Sequence, residues 1–180
     1  YAFSLLPLGV LYIFSDIAFF IVYYLTKYRK KVVRKNLRNS FPGMSEKEML
    51  GIERKFFRWF CDYVFETIKL TSISKKEMAR RMRFEGMEEA RVFMDRKIPI
   101  YMYLGHYCNW EWVTTFAMHV PDCLCGNLYH ELESKTADRI FLKLRTRFGA
   151  HGVKMEDTLP TLARWHKEQK AMVIGFVSDQ

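Results

Sequence analysis

The run Ala171-Met-Val-Ile-Gly-Phe-Val177 carries no charge and no turn signal. A strand with apolar side chains on both alternating faces must be covered on both, as interior strands of parallel sheets are. The segments before it alternate in kind. From Gly86 onward the pattern predicts a short helix Met87–Asp95, a strand Ile98–Leu104 and a helix from Trp110 to about His119. It then predicts a strand Cys123–Tyr129, a helix Ala137–Phe148 closed by Gly149, a strand Gly152–Met155 and a helix Asp157–Gln169 with Pro160 near its start. Strands alternating with helices define an α/β fold whose mostly parallel sheet is flanked by helices. Sites in such sheets gather beyond the carboxyl ends of the strands. His106 follows the strand 98–104 and Asp179 follows the strand 171–177, so both fall where a site is expected.

The amino-terminal part has a different character. Leu5 to Leu25 is almost wholly apolar. As a helix it would be about 31 Å long, near the thickness of a bilayer's hydrocarbon core. Pro7 and Asp16 interrupt it, so a clean single crossing does not follow, and the helix can instead rest against protein or in the membrane interface. Lys27, Arg29, Lys30, Lys31, Arg34, Lys35 and Arg38 come directly after, and basic residues beside an apolar segment mark the cytoplasmic side. Ser45-Glu-Lys-Glu48 is a capping box that opens a helix to about Leu70, with Met49, Ile52, Phe56, Phe60, Tyr63, Val64 and Ile68 at helical spacing. Ser74-Lys-Lys-Glu77 reads as a second box before Arg80, Arg81 and Arg83. The organisation expected is a membrane-anchoring helix at 1–26, a basic connector at 27–44 and an α/β domain at 45–180. Starting at Tyr1 and stopping just after a strand, the chain reads as a fragment of a larger domain.

Composition narrows the class of partner. With 49% hydrophobic and 16% aromatic residues the 180-residue chain is not disordered. Its formal charge of +9 asks for an anionic partner, and the place of the basic cluster favours a membrane surface over a nucleic-acid groove. Cys61, Cys108, Cys123 and Cys125 form neither a disulfide framework nor a paired zinc pattern. Neither a Gly-x-Ser-x-Gly elbow nor a phosphate-cradling glycine loop is present.

The densest chemistry lies in Tyr103-Leu-Gly-His-Tyr-Cys-Asn-Trp-Glu-Trp112. On one continuous helix, His106 and Glu111 would be turned about 140° apart. They can meet if His106 sits in a loop and Glu111 in the first turn of a helix that Asn109 caps. A carboxylate there would hold one ring N–H and leave the other nitrogen as a base for a hydroxyl proton. His106, Cys108 and Glu111 offer three ligand types, but neither their spacing nor a second cluster matches a zinc site, and no metal is expected. Arg145 and Arg147 end a helix before Gly149, where they either balance its dipole or clamp a phosphate or carbonyl.

Gly105-His-Tyr-Cys-Asn-Trp-Glu111 resembles the His-x4-Asp/Glu block of membrane lysophospholipid acyltransferases, in the form found in lipid A late acyltransferases. Asn36-Leu-Arg-Asn-Ser-Phe-Pro42, Leu144-Arg-Thr-Arg-Phe-Gly149 and Phe176-Val-Ser-Asp-Gln180 are similar to further blocks of that family, in the same order. The resemblance implies an O-acyltransferase on the cytoplasmic face of a bacterial inner membrane. It implies acyl-acyl-carrier-protein or acyl-CoA as donor, an anionic lipid A precursor as acceptor, no cofactor and no nucleic acid. It makes His106 the base and Glu111 its orienting carboxylate. Asn109, Arg145 with Arg147 as its alternative, and Asp179 fall on the substrate side. A lysophospholipid or aminolipid acceptor, or a non-catalytic membrane-anchored module for anionic polymers, are the alternatives.

Overall fold

A computed structural model of the chain describes residues 1–179. It divides into two compact units, Tyr1–Ser72 and the part from Ile73 onward. The fold is α/β, with an amino-terminal apolar helix and a four-stranded parallel sheet flanked by helices.

The first unit is helical. A 3-10 turn, Ala2–Leu5, passes through Pro7 into α1 (Leu8–Phe20), which continues as a π-helical stretch Ile21–Thr26. Proline suits that start because the first helical amides have no partner within the helix. Lys27 and Arg29 take left-handed backbone angles (φ 52° and 50°) and turn the chain into α2 (Lys30–Ser40). The stretch 27–44, expected to be a connector, therefore holds a helix. Its stabilising contact is remote in sequence. Arg34 Nε lies 2.5 Å and Lys30 Nζ 3.3 Å from the carboxylate of Glu53, which is fully buried in α3 (Glu46–Leu70). Burial alone would raise that carboxyl's pKa. Hydrogen bonds from Arg34, Tyr23 and Lys30 outweigh it and hold the group below the ordinary glutamate value.

Both bonds of the Ser45/Glu48 capping box are formed at the start of α3. The buried face of α3 is offset from the expected stripe. Glu53, Phe57, Cys61, Thr67 and Leu70 are buried, while Phe56 and Val64 stay 37% and 38% exposed. Two polar residues within the buried line hide its periodicity from a search for apolar spacing.

In the second unit Ser74 caps α4 (Lys75–Arg81) through the Glu77 amide. The return bond of the expected box is replaced by Glu77 pairing with Arg80 and Arg81 at 2.9 and 2.7 Å. Next come α5 (Met87–Asp95), β1 (Ile100–Leu104), a 3-10 segment Trp110–His119, β2 (Leu124–Tyr129), α6 (Lys135–Thr146), β3 (His151–Lys154), a 3-10 turn Met155–Asp157, α7 (Thr158–Lys167) and β4 (Met172–Val177). Pro160 lies in the first turn of α7. The order across the sheet is β1-β4-β2-β3, every pair parallel. β4 is interior, as its unbroken apolar run requires. Val173 packs on one side with Met94, Phe116, Ala117, Cys125 and Ala171. Met172 and Ile174 pack on the other with Leu124, Val153 and Trp165.

The helix expected over Trp110–His119 is present and is of the 3-10 type. Thr114 and Thr115 return their hydroxyls three residues back, to the carbonyls of Glu111 (2.8 Å) and Trp112 (2.6 Å). Side-chain bonds of that reach favour the tighter winding in a buried segment.

Candidate active site

The carboxyl ends of β1, β4 and β2 lie side by side, because β4 inserts between the other two. The β1–β4 register pairs Leu104 with Val177, and the Ser178 amide donates to the Leu104 carbonyl at 2.9 Å. Two residues further on, the strands deliver His106 and Asp179 to each other. His106 Nδ1 is 2.7 Å from Asp179 Oδ1, and the His106 backbone N–H donates to Asp179 Oδ2, also at 2.7 Å. The carboxylate thus grips both the ring and the main chain of one residue. Those two bonds, the backbone one first, hold the Asp179 carboxyl below its ordinary pKa.

Gly105 makes this approach possible. A Cβ there would lie 3.1 Å from Asp179 Oδ2, tighter than most real contacts. Past Gly105 the chain turns sharply. The Tyr107 amide donates to the Gly105 carbonyl at 2.8 Å, and Cys108 sits at φ 49°. The Trp110 ring stands edge-on to the imidazole with centroids 4.9 Å apart. In a neutral imidazole whose Nδ1 donates to the carboxylate, Nε2 keeps its lone pair. The His106 side chain remains 36% exposed, so that nitrogen belongs to an accessible group.

Glu111 does not orient His106, contrary to the expected dyad. Its carboxylate receives Arg145 Nε at 2.9 Å and Nη2 at 2.6 Å, a two-pronged pair formed by a residue on α6. Glu111 is 2% exposed, and this fork neutralises a carboxylate that burial would otherwise penalise. Asn109 does occupy the cap position of the 3-10 segment, but its side chain makes no capping bond there. The two arginines separate cleanly. Two helical steps turn the chain by about 200°, so they cannot face the same way. Arg145 faces the site, while Arg147 Nη1 donates to the Ile73 carbonyl at 2.6 Å and stacks near Phe148.

A cavity of about 520 Å³ opens at these strand ends. His106, Glu111 and Arg145 reach it, together with apolar groups such as Val113, Leu128, Met155 and Phe176. Asn127 on β2 also lines it, and its buried amide nitrogen has no hydrogen-bond partner among the described residues. Sequence reasoning passed over Asn127, although a polar side chain inside an otherwise apolar strand is a usable signal. Tyr129 and His130 lie on the same wall. A larger hollow of about 960 Å³ lies away from His106, along β3 and α7. Of the cysteines, Cys61 and Cys125 are buried and Cys108 is exposed in the histidine loop. Gln180, the last member of the Asp-Gln block, lies outside the described residues.

A parallel α/β domain with its cleft at the carboxyl ends of the strands is the build of an enzyme of the α/β class. The chain belongs to the bacterial lipid A biosynthesis acyltransferase family, whose profile matches residues 2–180. The comparison with individual curated proteins returns no match. Family membership makes acyl transfer the class of reaction and agrees with the resemblance carried by the four sequence blocks.

Proposed function

We propose that this protein is a membrane-attached O-acyltransferase of the bacterial inner membrane, its catalytic unit on the cytoplasmic side. It moves a fatty acyl chain from an acyl-carrier-protein or CoA thioester to a hydroxyl of an anionic lipid A precursor. The observation that carries this reading is the half-exposed His106 imidazole, held through Nδ1 by Asp179 at the mouth of a partly apolar cavity.

His106 Nε2 takes the proton from the acceptor hydroxyl as its oxygen attacks the thioester carbonyl. The carbon–sulfur bond then breaks, and the imidazolium returns the proton to the leaving thiolate. Backbone amides opening the Trp110–His119 segment stabilise the oxyanion. Asp179 fixes the tautomer and steadies the imidazolium, a role the sequence reading gave to Glu111. Glu111 and Arg145 act as a pair that positions the cavity wall, with Asn109 at the turn beside it. The apolar lining suits an acyl chain. The net charge of +9 favours both an anionic acceptor and an acidic carrier protein.

The test uses the intact protein in membranes, with acyl-carrier-protein and CoA donors, and with lipid A precursor, lysophospholipid and aminolipid as competing acceptors. Products are read by mass. His106→Ala should lose about 10²–10⁴-fold in turnover while keeping its fold. Near-normal turnover by a folded His106→Ala protein rejects the base assignment. Transfer only to lysophospholipid or aminolipid rejects the acceptor but keeps the chemistry.

A further inference from the structure

We infer that α1 and its π-helical continuation lie along the membrane surface, one face immersed in lipid, and do not cross the bilayer. This rests on the membrane attachment proposed above and states its geometry. Length and composition alone allow a crossing, since Leu8–Thr26 is a continuous apolar helix of 19 residues. The helix is not a free rod. It is fastened to α3 at successive levels. Ser4 O and Leu6 O accept from Lys69 Nζ, each at 2.9 Å. Tyr12 donates to Glu66 at 2.8 Å and Ser15 to Asp62 at 2.6 Å. Arg58 Nη2 reaches Asp16 at 2.9 Å, and Tyr23 packs edge-on against Phe57.

These ties run α1 antiparallel along the carboxyl-terminal half of α3, where Arg58, Asp62, Glu66 and Lys69 lie. If α1 crossed the bilayer, Arg58, Asp62, Glu66 and Lys69 would be carried to hydrocarbon depth with it. Charges at that depth are strongly disfavoured. The Asp16–Arg58 pair makes the point directly, since both side chains are more than 60% exposed and need water or headgroups around them.

The two sides of α1 are built differently. Leu8, Leu11, Ser15, Phe19 and Tyr23 are buried. At about 100° per residue, Ile13, Ile17 and Phe20 occupy the opposite face of α1, and Ile21 and Leu25 extend the exposed apolar surface into the π-helical stretch. They are exposed, Ile13 by 61% and Leu25 by 64%. An apolar face of this size needs a cover. Lys27, Arg29, Lys31 and Lys35 follow directly, all exposed. An apolar face flanked by exposed cations fits the interface of an anionic bilayer, with chains under the face and phosphates at the lysines.

The test places single cysteines in the full chain at Ala2, Ile17 and Asn39. A membrane-impermeant maleimide is applied to right-side-out and inside-out vesicles from cells making each variant, and labelling is counted above that of the parent chain. The inference expects Ala2→Cys and Asn39→Cys to be labelled in inside-out vesicles only, and Ile17→Cys in neither. Labelling of Ala2→Cys and Asn39→Cys from opposite sides overturns the inference and leaves membrane attachment standing. Free labelling of Ile17→Cys in membrane-bound protein overturns the lipid-facing assignment. Recovery of the parent chain in the soluble fraction, not with the vesicles, overturns the attachment itself.

Discussion

Arg145→Ala should destabilise the unit that begins at Ile73 by about 3–5 kcal/mol, the range for leaving a buried charge without its partner. The structure supplies the reasons. Glu111 keeps only 3% of its side chain accessible and takes both prongs of the guanidinium, at 2.6 and 2.9 Å. Hydrogen bonds to charged groups are worth about 1.5–3 kcal/mol each, and truncation removes two. Arg145 is 22% exposed, so some water can follow into the space it leaves, which favours the lower end. For a unit of this size, 3 kcal/mol corresponds to a fall of about 12–24 °C in Tm. Glu111→Gln is the informative contrast. It leaves an acceptor for Arg145 and strands a cation that can still hydrate, so its cost should be nearer 1–2 kcal/mol, about that of a weakened hydrogen bond. The double variant Glu111→Gln/Arg145→Ala should recover part of the Arg145→Ala loss, giving a coupling of up to about 3 kcal/mol. Thermal unfolding in one detergent, followed by circular dichroism, measures all of these. A loss below about 1 kcal/mol for Arg145→Ala, or an equal loss for Glu111→Gln, would refute the buried-pair account.

Three further outcomes follow from the same geometry. Asp179 should titrate below the ordinary aspartate value, because two hydrogen bonds from His106 favour its anion. A depressed folded value means its stabilising contribution is complete at neutral pH and disappears only as acid passes through that value; a carboxyl ¹³C midpoint at or above the ordinary one contradicts this. Gly105→Ala should lower acyl transfer by about tenfold or more with little change in Tm, since its Cβ would press on Asp179 from 3.1 Å and shift the imidazole; full activity would show the approach is not needed. Maleimide at pH 8 should modify Cys108 and spare Cys125, whose thiol is pushed up to about 12 by burial; peptide mapping that finds both modified equally fast in folded protein argues against that burial.

The sheet was legible in the sequence because its information is local. β1 and β2 are short, mostly apolar runs, and the unbroken one is the interior β4, while the short edge strand β3 (His-Gly-Val-Lys) has only Val153 buried. His106 was legible for the same reason, standing in a glycine-containing turn after a strand. Its partner was not. Nearest-neighbour logic chose Glu111, five residues on, whereas the carboxylate that meets the ring lies 73 residues away and arrives through the β1–β4 register. Arg145, 34 residues from Glu111, was singled out but could not be matched to its carboxylate before the fold was known. The helix α2 was missed because its stabilising contacts run to Glu53, and a lysine- and arginine-rich stretch with two valines does not announce a helix by itself. Glu53 also broke the apolar rhythm of α3, so the stripe chosen there was rotated from the buried one.

The position of β4 ties chemistry to the order of assembly. It is the last of the four described strands along the chain, yet it occupies an interior slot, and β1 and β2 are joined to each other through it. The imidazole and its carboxylate come together in that same event, when a late segment threads between two early ones. Until then the chain holds an imidazole with no carboxylate to steer it. Contacts of such long sequence separation form slowly, so the meeting of ring and carboxylate reports that β4 has reached its slot between β1 and β2.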